Sequence, residues 1–313
     1  MSFLRNVYDF LISITKYIYY SCLCKKVDFF DYERLVRYDF APPKFFNSVF
    51  LYGNYKAVAT AQNKHFNFLT DYLEHGVCFI NTVESARLLG YVDRRFIKNI
   101  YTYGPIRKKI IEQYLEQYNL KRNIIEVGPY ILGAKHFYTP TQLAALKKTY
   151  GKILLIYPQH SIESRVVHYE LDDIIREIHA RKGNFDSVFI CIYWKDILIH
   201  PEYVQKYQSE GFIVVSNGHR SDPQFLSRQK DLIQLSDMMM TNGLGTHIGY
   251  SICMNKPVYF YKQVLQLEHP ATNTNNTANE LQLIESEFHI AFSEFSFNIS
   301  EEQKNLVSQY WGS

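Results

Sequence analysis

The second half of the chain alternates short apolar runs with amphipathic segments. A continuous apolar run bounded by turns is typical of a strand buried in a parallel sheet, whereas an apolar stripe at steps of three and four is typical of a helix. The predicted strands cover 152–158, 186–194, 212–217, 238–242 and 257–262, and the predicted helices cover 171–183, 200–211, 223–236 and 246–255. This alternation predicts a Rossmann-like, doubly wound domain over 149–270.

The first half shows the same alternation with less regularity. Apolar runs predict strands at 47–53, 74–80, 98–104 and 122–128, with a helix at 107–120. Arg107 and Lys108 are expected to be solvated residues of that helix. We therefore predict a second, smaller α/β domain within 31–148, facing the first across a cleft that binds ligands at the carboxyl ends of the strands.

The segment before these domains has helical periodicity. Its apolar positions are Phe3, Val7, Phe10, Leu11, Ile14 and Ile18, and its basic residues are Arg5, Lys16, Lys25 and Lys26. The segment is too charged to span a bilayer, and it lacks the cleavage site of a signal peptide. Two interpretations remain open for residues 1–30: an amphipathic helix on an anionic membrane surface, through residues 1–26, or a helix packed on the protein's own core.

The last segment, 271–313, predicts a loop followed by a closing helix. The Asn- and Thr-rich stretch 271–278 is typical of a loop. Ser300 and Gln303 have the spacing of a capping box, which predicts a helix that starts after Ser300.

Composition narrows the class of protein. The 34 Lys and Arg residues against 31 Asp and Glu give a net charge of +3, which lacks the basic excess of a nucleic-acid-binding protein. The five cysteines are odd in number and mostly isolated in apolar runs, as expected of reduced thiols in the cytoplasm. Hydrophobic residues make up 47% of the chain, which predicts a well-packed globular core.

Polar side chains follow three of the predicted strands in the second half. Parallel strands bring such residues to one edge of the sheet, where α/β domains bind ligands. The candidates for binding a ligand that carries phosphate are His160, Ser161, Glu163, His219, Arg220, Asn242, Gly243, Gly245, Thr246 and His247.

The group at 242–247 has the clearest physical rationale. Two glycines let a ligand approach the backbone, and the N-terminus of the following helix presents free N–H groups that suit a phosphate. The chain has no P-loop motif and no Asp-x-Asp triplet. We therefore expect a metal-independent site without a cofactor, in which a helix end, Arg and His meet the phosphate charge.

The first half offers one candidate for acid–base chemistry. In the run 71–79, Glu74 and His75 precede Gly76, so an acidic group, an imidazole and a residue allowing close approach are adjacent. We predict His75 or Glu74 as the base that faces the cleft.

The run SDMMMTNGLGTHIGYSICMNKPVYFY (236–261) resembles the donor segment of CDP-glycerol-dependent teichoic acid transferases and related bacterial polysaccharide glycosyltransferases of the GT-B fold. The matching residues are Ser236, Asp237, Thr241, Asn242, Thr246, Lys256 and Pro257. The resemblance implies that they line the donor phosphates. The runs GHRSDP and EHG resemble two further motifs of that family, although Asp222-Pro223 stands where His-Pro is usual. The EHG resemblance implies that His75 is the base.

Three hypotheses follow for the function. The first is a glycosyltransferase that uses a CMP-, CDP- or UDP-linked sugar to extend a glycan or lipid-linked acceptor of a capsule or lipopolysaccharide, in the cytoplasm or on the inner face of the cell membrane. A closely related alternative transfers a polyol phosphate from CDP-glycerol. The others are a nucleotide-sugar epimerase of the same fold and a non-catalytic partner in a polymer assembly complex.

Overall fold

A computed structural model of the protein describes residues 2–38, 51–67, 69–89, 96–162, 166–268 and 275–312. Within these ranges the strands are β1 Asp71–Leu73, β2 Asn99–Thr102, β3 Asn123–Glu126, β4 Ile153–Tyr157, β5 Val166–His168, β6 Ser187–Cys191, β7 Ile213–Val215, β8 Met238–Thr241, β9 Val258–Phe260 and β10 Gln266–Glu268. The α-helices are α1 Ser2–Cys24, α2 Tyr32–Val36, α3 Asn54–Ala61, α4 Pro105–Gln117, α5 Tyr130–Gly133, α6 Pro140–Tyr150, α7 Leu171–Arg181, α8 Trp194–Ile199, α9 Pro201–Ser209, α10 Phe225–Leu235, α11 Thr246–Cys253, α12 Asn275–Phe292 and α13 Glu301–Trp311.

Five strands of the second half form one parallel sheet in the order β7-β6-β4-β8-β9. All residues of β4 and β8 are buried, because helices cover both faces and the strands ILLIY and MMMT are apolar throughout. Taken along the chain, the strands lie in the order 3-2-1-4-5, which is the doubly wound Rossmann arrangement. The α/β class and the parallel sheet predicted for this half are confirmed.

Three strands of the first half form a second parallel sheet, in the order β1-β2-β3. The predicted strands at 98–104 and 122–128 correspond to β2 and β3, but the strand predicted at 74–80 is wrong. Strand β1 ends at Leu73, and residues 74–80 form a loop that keeps one hydrogen bond to β2, from Glu74 N–H to the Tyr101 carbonyl at 3.1 Å. The polar pair and Gly76 that suggested chemistry therefore follow a strand instead of lying in one.

The strand predicted at 47–53 lies partly outside the described residues, which resume at 51. Residues Leu51–Gly53 form a 3-10 turn, in which Tyr52 and Gly53 have φ angles of 57° and 70°. These left-handed conformations cannot occur in a strand, and they lead directly into α3.

The capping box predicted at Ser300 and Gln303 is present and starts α13. The loop predicted at 271–278 is wrong over 275–278, where α12 begins, and 271–274 lie outside the described residues. Ile284, Phe288 and Phe292 of α12 are buried, so packing overrides the weak helix propensity of the Asn and Thr residues.

The two sheets share one apolar core, which contains Leu73 and Tyr101 from the first sheet and Leu155 and Phe189 from the second. Helix α13 contributes to the same core through Trp311 and contacts both α4 and α11. Among the described residues, no helix combines the length and apolar character needed to cross a bilayer.

Candidate functional site

The carboxyl ends of β4 and β8 form the topological switch point of the second sheet. Connections leave these neighbouring strands in opposite directions, which opens a crevice at this edge. The Gln159 N–H donates to Asn242 Oδ1 at 2.7 Å, and Asn242 Nδ2 donates to Gln263 Oε1 at 2.7 Å. The side chain of Asn242, a predicted donor-binding residue, thus ties together the loops that follow β4, β8 and β9.

Glycines allow the loop before α11 to pack closely. A Cβ atom at Gly243 would lie 2.3 Å from Gln159 Oε1, and one at Gly245 would lie 2.5 Å from Cε1 of His247. Gly245 is the N-cap of α11 and supplies no side-chain cap, so nothing in the cap residue occupies the N–H groups of the first turn. The loop therefore leaves the positive end of α11 at the crevice.

His247 lies beneath this loop as a neutral ring. It stacks on Tyr157 with ring centroids 5.0 Å apart, and its Nε2 lies 3.1 Å from Thr241 Oγ1. Because the Thr241 hydroxyl donates to the carbonyl of Gly243, His247 Nε2 carries the proton and donates to Thr241. Desolvation, with a smaller effect of His160, lowers the pKa of His247 to about 3. His247 therefore shapes the loop without supplying positive charge.

The segment after β4 places His160 at the crevice and Ser161 in the core. His160 Nδ1 lies 3.0 Å from the Ser161 carbonyl, and its ring centroid is 4.4 Å from that of Tyr193. Ser161 is fully buried: its N–H donates to the Asp196 carboxylate, and its Oγ accepts from Val167 N–H at 3.0 Å. Ser161 therefore fixes the turn. Glu163 lies outside the described residues.

The segment after β7 brings His219 and Arg220 to the same edge. His219 is buried with its ring centroid 4.2 Å from that of Trp194, and its Nδ1 accepts from Ser221 N–H at 3.0 Å. The neutral ring therefore carries its proton on Nε2. The Arg220 carbonyl accepts from Tyr52 N–H at 2.5 Å, which joins this loop to the turn before α3.

Two buried polar atoms beside this loop have no hydrogen-bond partner among the described residues. They are Asn217 Oδ1 and Ser221 Oγ, from side chains that are 4% and 1% exposed. Buried polar atoms are nearly always paired in native proteins, so a ligand or ordered water is expected at these atoms.

The loop after β1 meets α11 directly. The Val77 N–H donates to Thr246 Oγ1 at 3.3 Å, and a Cβ atom at Gly76 would lie 3.2 Å from the same oxygen. Asn54 Nδ2, at the start of α3, donates to the His75 carbonyl at 2.8 Å. Two segments selected independently from the sequence, 74–76 and 242–247, therefore lie against each other.

Glu74 is buried beneath this loop in a polar cluster. Its Oε1 lies 2.7 Å from Arg107 Nε, and its Oε2 accepts from the Thr102 hydroxyl. Arg107 also donates to Ser85 Oγ at 2.7 Å. The prediction that Arg107 is solvated is wrong, because its guanidinium is the buried partner of Glu74. No sequence signal predicts this pair, because Glu74 follows β1 whereas Arg107 lies in α4, after the next strand.

His75 is exposed to solvent, yet its pKa is lowered. The causes are desolvation first, then the positive charges of Arg220 and Arg107. The ring of Tyr52 is stacked with the ring of His75, and their centroids are 6.4 Å apart. His75 is therefore unprotonated at neutral pH, which is the form that can accept a proton.

Four residues implied by the resemblance lie at the opposite edge of the sheet. Ser236 and Asp237 precede β8, and Lys256 and Pro257 precede β9; Lys256 Nζ donates to the Ser236 carbonyl at 2.7 Å. Asp237 pairs with Lys147. A ligand bound at the carboxyl ends of β4 and β8 would lie at the far end of these strands and would not contact these four residues.

No family model matches the chain, and a search of curated proteins finds no match. Among solved structures, Anabaena HepE in complex with UDP aligns at 14% identity, covering 82% of this chain and 72% of that one, with a TM-score of 0.37. S. aureus MnaA with UDP aligns at 11% identity, covering 72% and 57%, with a TM-score of 0.36. HepE with UDP-glucose aligns at 12% identity, covering 76% and 68%, with a TM-score of 0.34.

Proposed function

We propose that this protein is a metal-independent glycosyltransferase of the GT-B type that uses a nucleotide-activated sugar. The observation that carries the proposal is the contact of two loops from two parallel sheets. The glycine loop at the N-terminus of α11 lies at a Rossmann switch point, and the 74–77 loop presents an unprotonated His75 beside it. One side suits a phosphate, and the other suits an attacking hydroxyl.

The second sheet would hold the nucleotide. The first-turn N–H groups of α11 and the guanidinium of Arg220 would meet the negative charge of the phosphates. Asn217 Oδ1 and Ser221 Oγ, which lack protein partners among the described residues, would bind polar groups of the donor. Because the charge on the leaving phosphate grows as the glycosidic bond breaks, these fixed donors would stabilise the transition state more than the ground state.

The first sheet would supply the base. His75 would remove the proton from an acceptor hydroxyl as its oxygen bonds to the anomeric carbon, while the bond from that carbon to the phosphate oxygen breaks. The nucleotide then leaves with the electron pair. Glu74 is held by Arg107 and Thr102 beneath the loop, so we assign it the positioning of this loop and give the base role to His75. The acceptor would be a glycan or lipid-linked precursor of a capsule or lipopolysaccharide.

The test is ligand binding measured by thermal shift and calorimetry with CMP, CDP, UDP and GDP. A nucleotide present at a hundred times its Kd should stabilise the fold by about 2.7 kcal/mol. Thr246→Val should weaken binding about two- to tenfold, since the loss of its hydroxyl frees Val77 N–H and loosens the contact between the loops.

Thr246→Ser is the matched control, because it keeps the hydroxyl and should bind like the wild type. Failure of all four nucleotides to bind the folded protein would reject the nucleotide site. Binding followed by epimerisation of the sugar, with no transfer to any acceptor, would assign the same site to an epimerase instead.

A further inference from the structure

Over residues 11–24, one face of helix α1 is packed against the body. Tyr17 and Cys24 on that face are buried, and the Cys24 carbonyl accepts a hydrogen bond from the buried Arg228 at 2.7 Å. The opposite face exposes apolar side chains at helical spacing: Leu11, Ile12, Ile18 and Tyr19, which are 56%, 37%, 58% and 59% exposed. A helix with apolar residues on opposite faces requires apolar surroundings on both.

Lysines lie beside the end of this helix. Lys25 and Lys26 follow α1, Lys56 lies in α3, and Lys135 follows α5. None of the four forms a salt bridge with any residue in the described ranges. Burial and the positive charges of Lys25 and Lys135 lower the pKa of Lys56, whereas the negative charge of Asp222 acts in the opposite direction. An exposed apolar helix face is thus combined with exposed lysines that form no salt bridge within the described ranges.

We propose that the exposed face of α1, together with these lysines, docks on an anionic phospholipid surface. A bilayer interface offers acyl chains to the exposed apolar side chains and negative headgroups to the lysines. A two-fold interface with a second copy would bring the same face and its flanking lysines together, so like charges would oppose the contact. The proposal is independent of the nucleotide site.

Helix α3 links the proposed docking surface to the loop that contains His75. Helix α3 carries Lys56 and, at its first residue, Asn54, whose amide holds the His75 carbonyl at 2.8 Å. The proposed lipid contact at Lys56 is thus two residues along α3 from the side chain that holds the His75 loop.

The first experiment measures binding of the full chain to vesicles by co-sedimentation. Binding is expected to vesicles of phosphatidylcholine with phosphatidylglycerol, and to be weaker with phosphatidylcholine alone. The double variant Leu11→Gln/Ile18→Gln should lose at least about tenfold in affinity, because two apolar side chains no longer enter the interface. Leu283→Gln/Ile290→Gln is the matched control: it changes two exposed apolar side chains with the same spacing on α12 and should bind normally.

The second experiment tests the charge. Lys25→Gln/Lys56→Gln should weaken binding to anionic vesicles about fivefold for each lysine and leave binding to neutral vesicles unchanged. Lys98→Gln/Lys121→Gln removes two exposed lysines elsewhere and should have little effect. Circular dichroism confirms that each variant is folded, as expected for changes at exposed positions.

Absence of binding to anionic vesicles would overturn the proposal, as would equal binding by the wild type and the Leu11→Gln/Ile18→Gln variant. Concentration-dependent dimerisation that is lost in the same variant, without vesicle binding, would assign the face to a second copy. Nucleotide affinity in solution should be unchanged in all four variants, so failure of this proposal is distinguishable from failure of the nucleotide site.

Discussion

At the scale of single residues, the two members of the Glu74–His75 pair have opposite environments. Glu74 is 2% exposed and bound by Arg107 and Thr102, whereas the side chain of His75 is exposed to solvent. The sequence makes both residues candidates for the base, since they are adjacent in the chain and a sequence pattern cannot tell which way each side chain points. Only the direction in which each side chain points separates a positioning carboxylate from an imidazole that a substrate can reach.

Replacing the imidazole tests this division. His75→Ala should lower kcat by about 10²–10⁴, the usual contribution of a general base, and leave nucleotide affinity near that of the wild type. Glu74→Gln should reduce kcat less, but should destabilise the fold by about 3–5 kcal/mol because Arg107 loses its buried counter-charge. Steady-state kinetics and urea denaturation measure the two effects. Near-normal kcat in both variants would place the base elsewhere.

The pH dependence tests the cause of the lowered His75 pKa. A base must be unprotonated, so kcat/KM should rise with pH through the His75 pKa, with its midpoint below the ordinary value of about 6.5. Arg220→Gln removes a positive charge that disfavours protonation of His75, so the midpoint should move to higher pH. The control is Arg176→Gln, at an exposed residue of α7. An unchanged midpoint, or one that falls, would contradict this account.

At the scale of secondary structure, α13 packs against α11 and holds it in position. Trp311 is fully buried, and a Cβ atom at Gly249 would lie 2.2 Å from its ring. Its Nε1 donates to the Thr246 carbonyl at 3.2 Å, and Gly104 N–H donates to the Tyr310 carbonyl at 3.1 Å. The last helix therefore holds the start of α11 and the start of α4, one element from each half of the chain.

Removal of the Trp311 indole should weaken the contact between α13 and α11. Trp311→Ala should reduce the free energy of unfolding by about 3–5 kcal/mol, as is usual for a large aromatic side chain lost from a core. Nucleotide affinity should also fall, because the Thr246 carbonyl loses its partner. Leu132→Ala, at a half-exposed side chain, should change the free energy by less than about 0.5 kcal/mol. A loss below about 1 kcal/mol in Trp311→Ala, measured by urea denaturation, would contradict the assignment.

At the scale of the whole molecule, the described residues form no cluster of side chains that suits a divalent cation. The full sequence has no Asp-x-Asp triplet, and the described residues contain no group of three or more His, Cys, Asp or Glu side chains suited to a metal. We therefore expect Arg220 and the N-terminus of α11 to balance the negative charge of the phosphates.

Transfer activity is therefore expected to persist in EDTA at the rate seen with Mg²⁺ or Mn²⁺. The measurement is the initial rate in chelator, with each cation added back in excess. Complete loss of activity in EDTA, restored by either cation, would show that a metal shares the task assigned here to the helix end and the guanidinium.

The sequence by itself determined the Rossmann-like sheet and the chain positions of the two candidate loops. Buried parallel strands must be continuously apolar, and their connections must be amphipathic helices, so β4, β6, β7, β8 and β9 leave a periodic pattern that local reasoning detects. The start of α13 was equally local, because a capping box joins residues three positions apart.

The tertiary structure alone decided which polar residues are buried against other segments and which reach solvent. The Glu74–Arg107 pair, the neutral His247 and the buried Ser161 depend on contacts between segments distant in the chain, and no periodicity records such contacts. Helix α12 formed over a predicted loop for the same reason: burial of Phe288 and Phe292 outweighs the propensity of the Asn and Thr residues at its start. Local patterns fix the elements, whereas the direction of each side chain is fixed by packing against distant parts of the chain.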